Sequence, residues 1–126
     1  MESMKNEDAE PLAAMDKVKE IAIEMKKALL LGDLDRFGEM LHEGWVHKKK
    51  TAPGITTARI DELCAEAQKA GAIGGKITGA GGGGHMMLYY PFNKRRIVRE
   101  RFGAMGTRAT DFRFDASGMQ TWRVYQ

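Results

Sequence analysis

Between positions 18 and 29 the apolar residues fall at Val18, Ile21, Ala22, Met25, Ala28 and Leu29, with lysines and glutamates between them. Steps of three and four predict an amphipathic helix, which Pro11 is placed to open. Gly32 stops it and Asp33 can cap a second helix, where Leu34, Phe37, Leu41 and Trp45 form a narrower stripe. With only Gly32 and Asp33 between them, the two helices should form a tight antiparallel hairpin. Lys48-Lys49-Lys50 suits the carbonyl end of the second helix. A loop through Pro53 and Gly54 leads to Thr57, a cap for a third helix with its core face at Ile60, Leu63, Cys64 and Ala67 and its stop at Gly71.

The next stretch, Gly71 to Gly84, has eight glycines in fourteen residues, and Met86-Met87-Leu88-Tyr89-Tyr90 continues apolar beyond it. Glycine costs roughly 0.5–1 kcal/mol against alanine in a regular element. Such a run therefore marks positive φ or close approach by another group. A linker would be flanked by polar sequence; this stretch joins two apolar runs and reads as strand, glycine loop, strand. Pro91 closes the second strand, and Asn93 can cap a basic helix with Ile97, Val98 and Phe102 on one face. Two more strands are expected, around Thr107 to Phe114 and Gln120 to Tyr125, turning through Asp115 to Gly118. The expected fold is α+β and ferredoxin-like: an antiparallel sheet of about four strands with helices packed on one face, preceded by a helical hairpin. Residues 1–10 lack an apolar pattern and are expected to be disordered, leaving 11–126 as one domain.

Composition narrows the class. The chain has 126 residues, 43% hydrophobic and 29% charged, the balance of a globular protein. Its one cysteine, Cys64, excludes an internal disulfide. The polar, acidic N-terminus is unlike a signal peptide, and no apolar run reaches the ~20 residues of a membrane span. A cytoplasmic protein is expected, without membrane partners. The net charge of +3 permits an anionic ligand without demanding one.

Candidate chemistry centres on the glycine run. Gly79 to Gly84 matches G-x-G-x-x-G, but a strand follows where the dinucleotide fingerprint needs a helix start. A Walker loop fails because Ile77 follows Lys76 and Ala70 stands in place of the first glycine. What remains is a backbone nest able to face an anion. The candidate anion- or substrate-binding residues are Lys76, Thr78, Gly79, Ala80, Gly81, Gly82, Gly83 and Gly84. His42, His47, His85 and Cys64 lack metal-site spacing, so no metal ligand is assigned. Cys64 reads as a buried, inert thiol. Lys94, Arg95, Arg96, Arg99 and Arg101 are spread around a helix and interrupted by Glu100, which favours a solvated face over a nucleic-acid footprint.

Four segments in order carry a family resemblance. The stretch Gly71 to Gly84 resembles the third motif of the GHMP small-molecule kinases (galactose, homoserine, mevalonate and phosphomevalonate kinases). Leu41-His42-Glu43-Gly44-Trp45 with Lys48-Lys49, then Ile60-Asp61-Glu62-Leu63, then Phe112-Arg113-Phe114-Asp115, are similar to the branch acting on heptose 7-phosphate. The resemblance implies a C-terminal domain that packs on an N-terminal domain, with Gly79 to Gly84 shaping the phosphoryl-acceptor end of the active site. It also implies that a P-x-x-x-G-L-G-S-S loop and a catalytic acid lie in that other domain; neither is matched here. Phosphoryl transfer needs the phosphates and Mg²⁺ fixed in line with the acceptor.

No catalytic residue is therefore assigned. The chain by itself is expected to use no cofactor and to have no kinase activity; ATP and Mg²⁺ enter only with a nucleotide-binding domain. The resemblance implies weak sugar-phosphate or anion binding at the loop, or an interaction module. The alternatives are the acceptor-side half of a split sugar kinase with a separate nucleotide-binding chain, and a ferredoxin-like RNA-binding module using Lys94 to Arg101. A homodimer covering the face left by the N-terminal domain is expected.

Overall fold

A computed structural model describes residues 9–124; the expectation of disorder over residues 1–8, and the end of the last expected strand at Tyr125, lie outside them. The order is α1 (Ala9–Leu31), α2 (Leu34–Lys48), α3 (Ala58–Ala70), β1 (Gly74–Ile77), β2 (Met86–Tyr89), a 3₁₀ turn (Phe92–Lys94) and α4 (Arg95–Ala104). The first helix already includes Ala9 and Glu10, so disorder does not extend to residue 10. Pro11 then sits inside the first turn, where a missing N–H leaves no helical bond unmade.

The helical hairpin forms as its sequence dictates. Gly32 takes φ +73°, and Asp33 Oδ1 accepts from Arg36 N at 3.1 Å as the cap of α2. Ala14, Ile21 and Ala28 form the buried stripe of α1, and Gly38, Met40, Leu41 and Trp45 that of α2. Thr57 caps α3 by accepting from Ile60 N at 3.2 Å, and Gly71 ends it at φ +107°. Asn93, expected to cap α4, lies instead within the 3₁₀ turn, and α4 begins without a side-chain cap.

Strands β1 and β2 pair antiparallel in the register Gly74 with Tyr89, Gly75 with Leu88, Lys76 with Met87 and Ile77 with Met86. Trp45, Ile60 and Ile77 make the core beneath them, flanked by Ile55, Cys64 and Met86. Helix α2 lies directly on β1: a Cβ built on Gly74 would stand 1.8 Å from Gly38 O. Two backbones thus meet with no side chain between them, which only glycine permits.

The sheet of the described residues has two strands rather than about four. The segment expected to supply two more, Thr107 onward, holds no strand among the described residues. Its alternating apolar side chains, Phe112, Phe114, Trp122 and Val124, are all exposed. Within the segment expected to turn, Ser117 N donates to Asp115 Oδ1 at 2.8 Å, but residues 115–118 form neither a hydrogen-bonded turn nor a bend. A hairpin without a packed face is marginal in water, and alternation reports a fit to a partner surface rather than the presence of one.

Candidate functional site

The loop between the strands is closed at its base by Thr78. Both its N–H (2.9 Å) and its hydroxyl (3.1 Å) donate to His85 O, so this candidate is engaged in closing the loop. Gly79, Gly81, Gly82 and Gly84 all take φ between +77° and +106°, a path closed to most side chains. Gly82 N donates to Ile55 O at 2.7 Å, and a Cβ on Gly81 would lie 2.8 Å from the same oxygen. The glycine loop is therefore seated on the loop preceding α3. That support is itself tied down, because Asp61 accepts from Lys49 (3.1 Å) and from Thr56 (3.0 Å). Burial pushes the Asp61 carboxyl up, but these two partners outweigh it and hold the group below its ordinary value.

With Gly82 engaged, the N–H groups of Ala80, Gly81, Gly83 and Gly84 make no hydrogen bond among the described residues. Ala80, Gly83 and Gly84 are exposed. They form the anion-capable part of the nest. Lys76 belongs to a different place. It lines a cleft of about 120 Å³ between α1, α2 and β1, together with Ile21, Met25, Leu41, Trp45 and Lys48. Lys48 connects the two places, since its Nζ donates to Gly79 O at the start of the loop. The sequence marks Lys48 as charge at a helix end and, with Lys49, as part of a family-like segment; nothing local marks a contact 31 residues away.

Burial, with a further push from Lys48, holds the Lys76 ammonium below the ordinary lysine value of 10.5. Over the interval between its folded pKa and 10.5 the unfolded chain binds more protons, so stability rises with pH there. Urea midpoints taken stepwise up to pH 10.5 should show that rise, and Lys76→Met should flatten it. An equal rise in the variant would assign it to another group.

Elsewhere, burial raises the Cys64 thiol, as expected for an unreactive cysteine. His42 meets Gln68 across α2 and α3 at 3.2 Å. In the basic helix Arg96 pairs with Glu100 (3.6 Å) and Arg101 with Glu66 (3.4 Å), while the stem of Lys94 lies over Gly71.

Residues 25–107 match the family described as GHMP kinases C terminal. The chain belongs to that family. It is 30% identical over 118 residues to the D-glycero-alpha-D-manno-heptose 7-phosphate kinase of Campylobacter jejuni, covering 93% of this chain and 34% of the relative. It is 39% identical over 88 residues to the mevalonate kinase of Pyrococcus abyssi, covering 67% of this chain and 24% of that enzyme. The mevalonate kinase of Pyrococcus furiosus is 40% identical over 93 residues, with coverage of 69% and 26%. The chain thus spans about a third or less of the length of these relatives. Among its described residues, no helix is long and apolar enough to cross a membrane.

Proposed function

We propose that this GHMP kinase C-terminal domain supplies the acceptor side of a small-molecule kinase, with the glycine loop as its anion cradle, and is catalytically incomplete without a nucleotide-binding domain. The observation that carries this reading is the set of uncommitted N–H groups at Ala80, Gly81, Gly83 and Gly84, held in place by Thr78 and Ile55. The extent of the likeness to the Campylobacter relative favours a heptose-phosphate-like sugar as acceptor. ATP and Mg²⁺ would enter through the other domain, supplied as a separate chain in a split kinase. Sheet completion by residues 107–114 and 120–124, giving the four-stranded ferredoxin-like form, belongs to the same docked state.

The surface for docking is suggested by α1. Leu12, Met15, Ile23 and Leu30 form an exposed stripe opposite the buried Ala14, Ile21 and Ala28. A helix apolar on two opposite sides is suited to burial on both. We propose that this stripe meets the nucleotide-binding domain or, in its absence, a second copy, giving a homodimer.

Mixing the purified chain with the separately produced nucleotide-binding domain of a heptose-phosphate kinase should restore ATP turnover onto the sugar phosphate, with neither part active alone. Gly81→Ala, which forces a Cβ onto the Ile55 carbonyl, should lower the restored rate at least ~10-fold, as expected for a displaced positioning element. Turnover by the chain alone would overturn the proposal. So would a complex that binds tightly and stays inactive.

A further inference from the structure

We propose that the cleft between α1, α2 and β1 is a binding site for a small oxyanion of the phosphate class, held between Lys48 and Lys76 and distinct from the backbone donors of the glycine loop. The cleft has a floor of Ile21, Met25, Leu41 and Trp45, and among the described residues the charged groups lining it are the two lysines. Neither lysine forms an ion pair with a carboxylate among the described residues, whereas the neighbouring Lys49 is paired with Asp61. Lys76 is half-buried and makes no side-chain hydrogen bond among the described residues.

Partly buried charges are ordinarily paired. Two like charges converging on one apolar-floored cleft are the reverse of what self-pairing would produce. An ammonium carries three donors. Gly79 O takes one from Lys48, which leaves its other donors and all those of Lys76 without a protein acceptor among the described residues. A tetrahedral oxyanion has enough acceptors and enough charge to engage both ammoniums, while a single carboxylate balances only one of them. The apolar floor lowers the local dielectric and strengthens the attraction relative to open water. A cleft of about 120 Å³ admits a phosphate-sized group. Because Lys48 also holds Gly79 O, occupancy of the cleft bears on the position of the glycine loop. The inference needs no nucleotide-binding domain and does not depend on the kinase reading.

The probe is inorganic phosphate, added to the full chain against sodium chloride at matched ionic strength. Phosphate should raise the melting temperature along a saturating curve, following the logarithm of ligand over Kd. Lys76→Met should weaken apparent phosphate affinity at least tenfold while raising the melting temperature in chloride, since it keeps the stem and removes the unpaired charge. Lys48→Met should weaken it by a smaller factor, and Lys50→Met, on an exposed lysine, should leave it unchanged. Backbone amide shifts should move in β1 and the last turn of α2. No stabilisation beyond chloride would overturn the site, as would an unchanged response in Lys76→Met. Shifts confined to Ala80 through Gly84 would refute the cleft while leaving the glycine loop as the anion cradle.

Discussion

Gly74→Ala should cost about 3 kcal/mol or more, at or beyond the upper end of ordinary overpacking. The new Cβ would sit 1.8 Å from Gly38 O, 2.8 Å from Gly38 C and 3.2 Å from His42 N. All three are backbone atoms of α2, so no rotamer change relieves the clash and the helix must lift from the strand. That is a large share of the ~5–15 kcal/mol that stabilises a domain, and the melting temperature should fall by roughly 10 °C. Gly38→Ala should cost less, because its closest contact, at 2.3 Å, is the ring of Tyr89, which can turn. Gly83→Ala enters open space without a left-handed φ and serves as the neutral control. A Gly74→Ala protein melting like the control would mean that α2 and β1 do not meet as described.

Trp45→Ala should cost about 3–5 kcal/mol, the range for emptying a buried aromatic site. Trp45 is 1% exposed and fills the space between Ile60 and Ile77, with Ile55, Cys64 and Met86 around it. Its buried Nε1 has no hydrogen-bond acceptor among the described residues. Trp45→Phe therefore removes an orphan donor along with some volume and should cost no more than about half as much. Trp122 is 81% exposed, and Trp122→Ala should lie within ~0.5 kcal/mol of the parent. Urea midpoints of the three variants separate these cases. Equal losses at positions 45 and 122 would show that the C-terminal segment is packed in solution.

The helical hairpin, the Thr57 cap, the Gly71 stop and the strand–loop–strand were legible because each is written in neighbouring residues. Gly32 and Gly71 end helices through their own φ, and Met86 to Tyr89 announces a strand by its own apolarity. The expected C-terminal strands are not formed among the described residues, because the alternation of Phe112, Phe114, Trp122 and Val124 describes a surface to be covered without locating the cover. At the candidate site the glycine loop was readable and its surroundings were not. Thr78 and Lys76 stand two apart on one chain, yet the first closes the loop and the second turns into the cleft. Lys48 and Ile55 reach the loop across long sequence separations. One usable signal went unread: a glycine inside a helical pattern, here Gly38, commonly has a packing reason.

The contact of Gly38 with Gly74 shows a use of glycine beyond the left-handed turns of the loop. Side-chain packing tolerates small slips, since rotamers adjust and volumes can be traded. Two main chains in direct contact have no such slack. The junction therefore works as a machinist's datum: a change anywhere in α2 that translates the helix by a fraction of an ångström is handed undiminished to β1 and the loop it carries. Freedom to vary this domain's interior is bounded by that fixed point as well as by hydrophobicity.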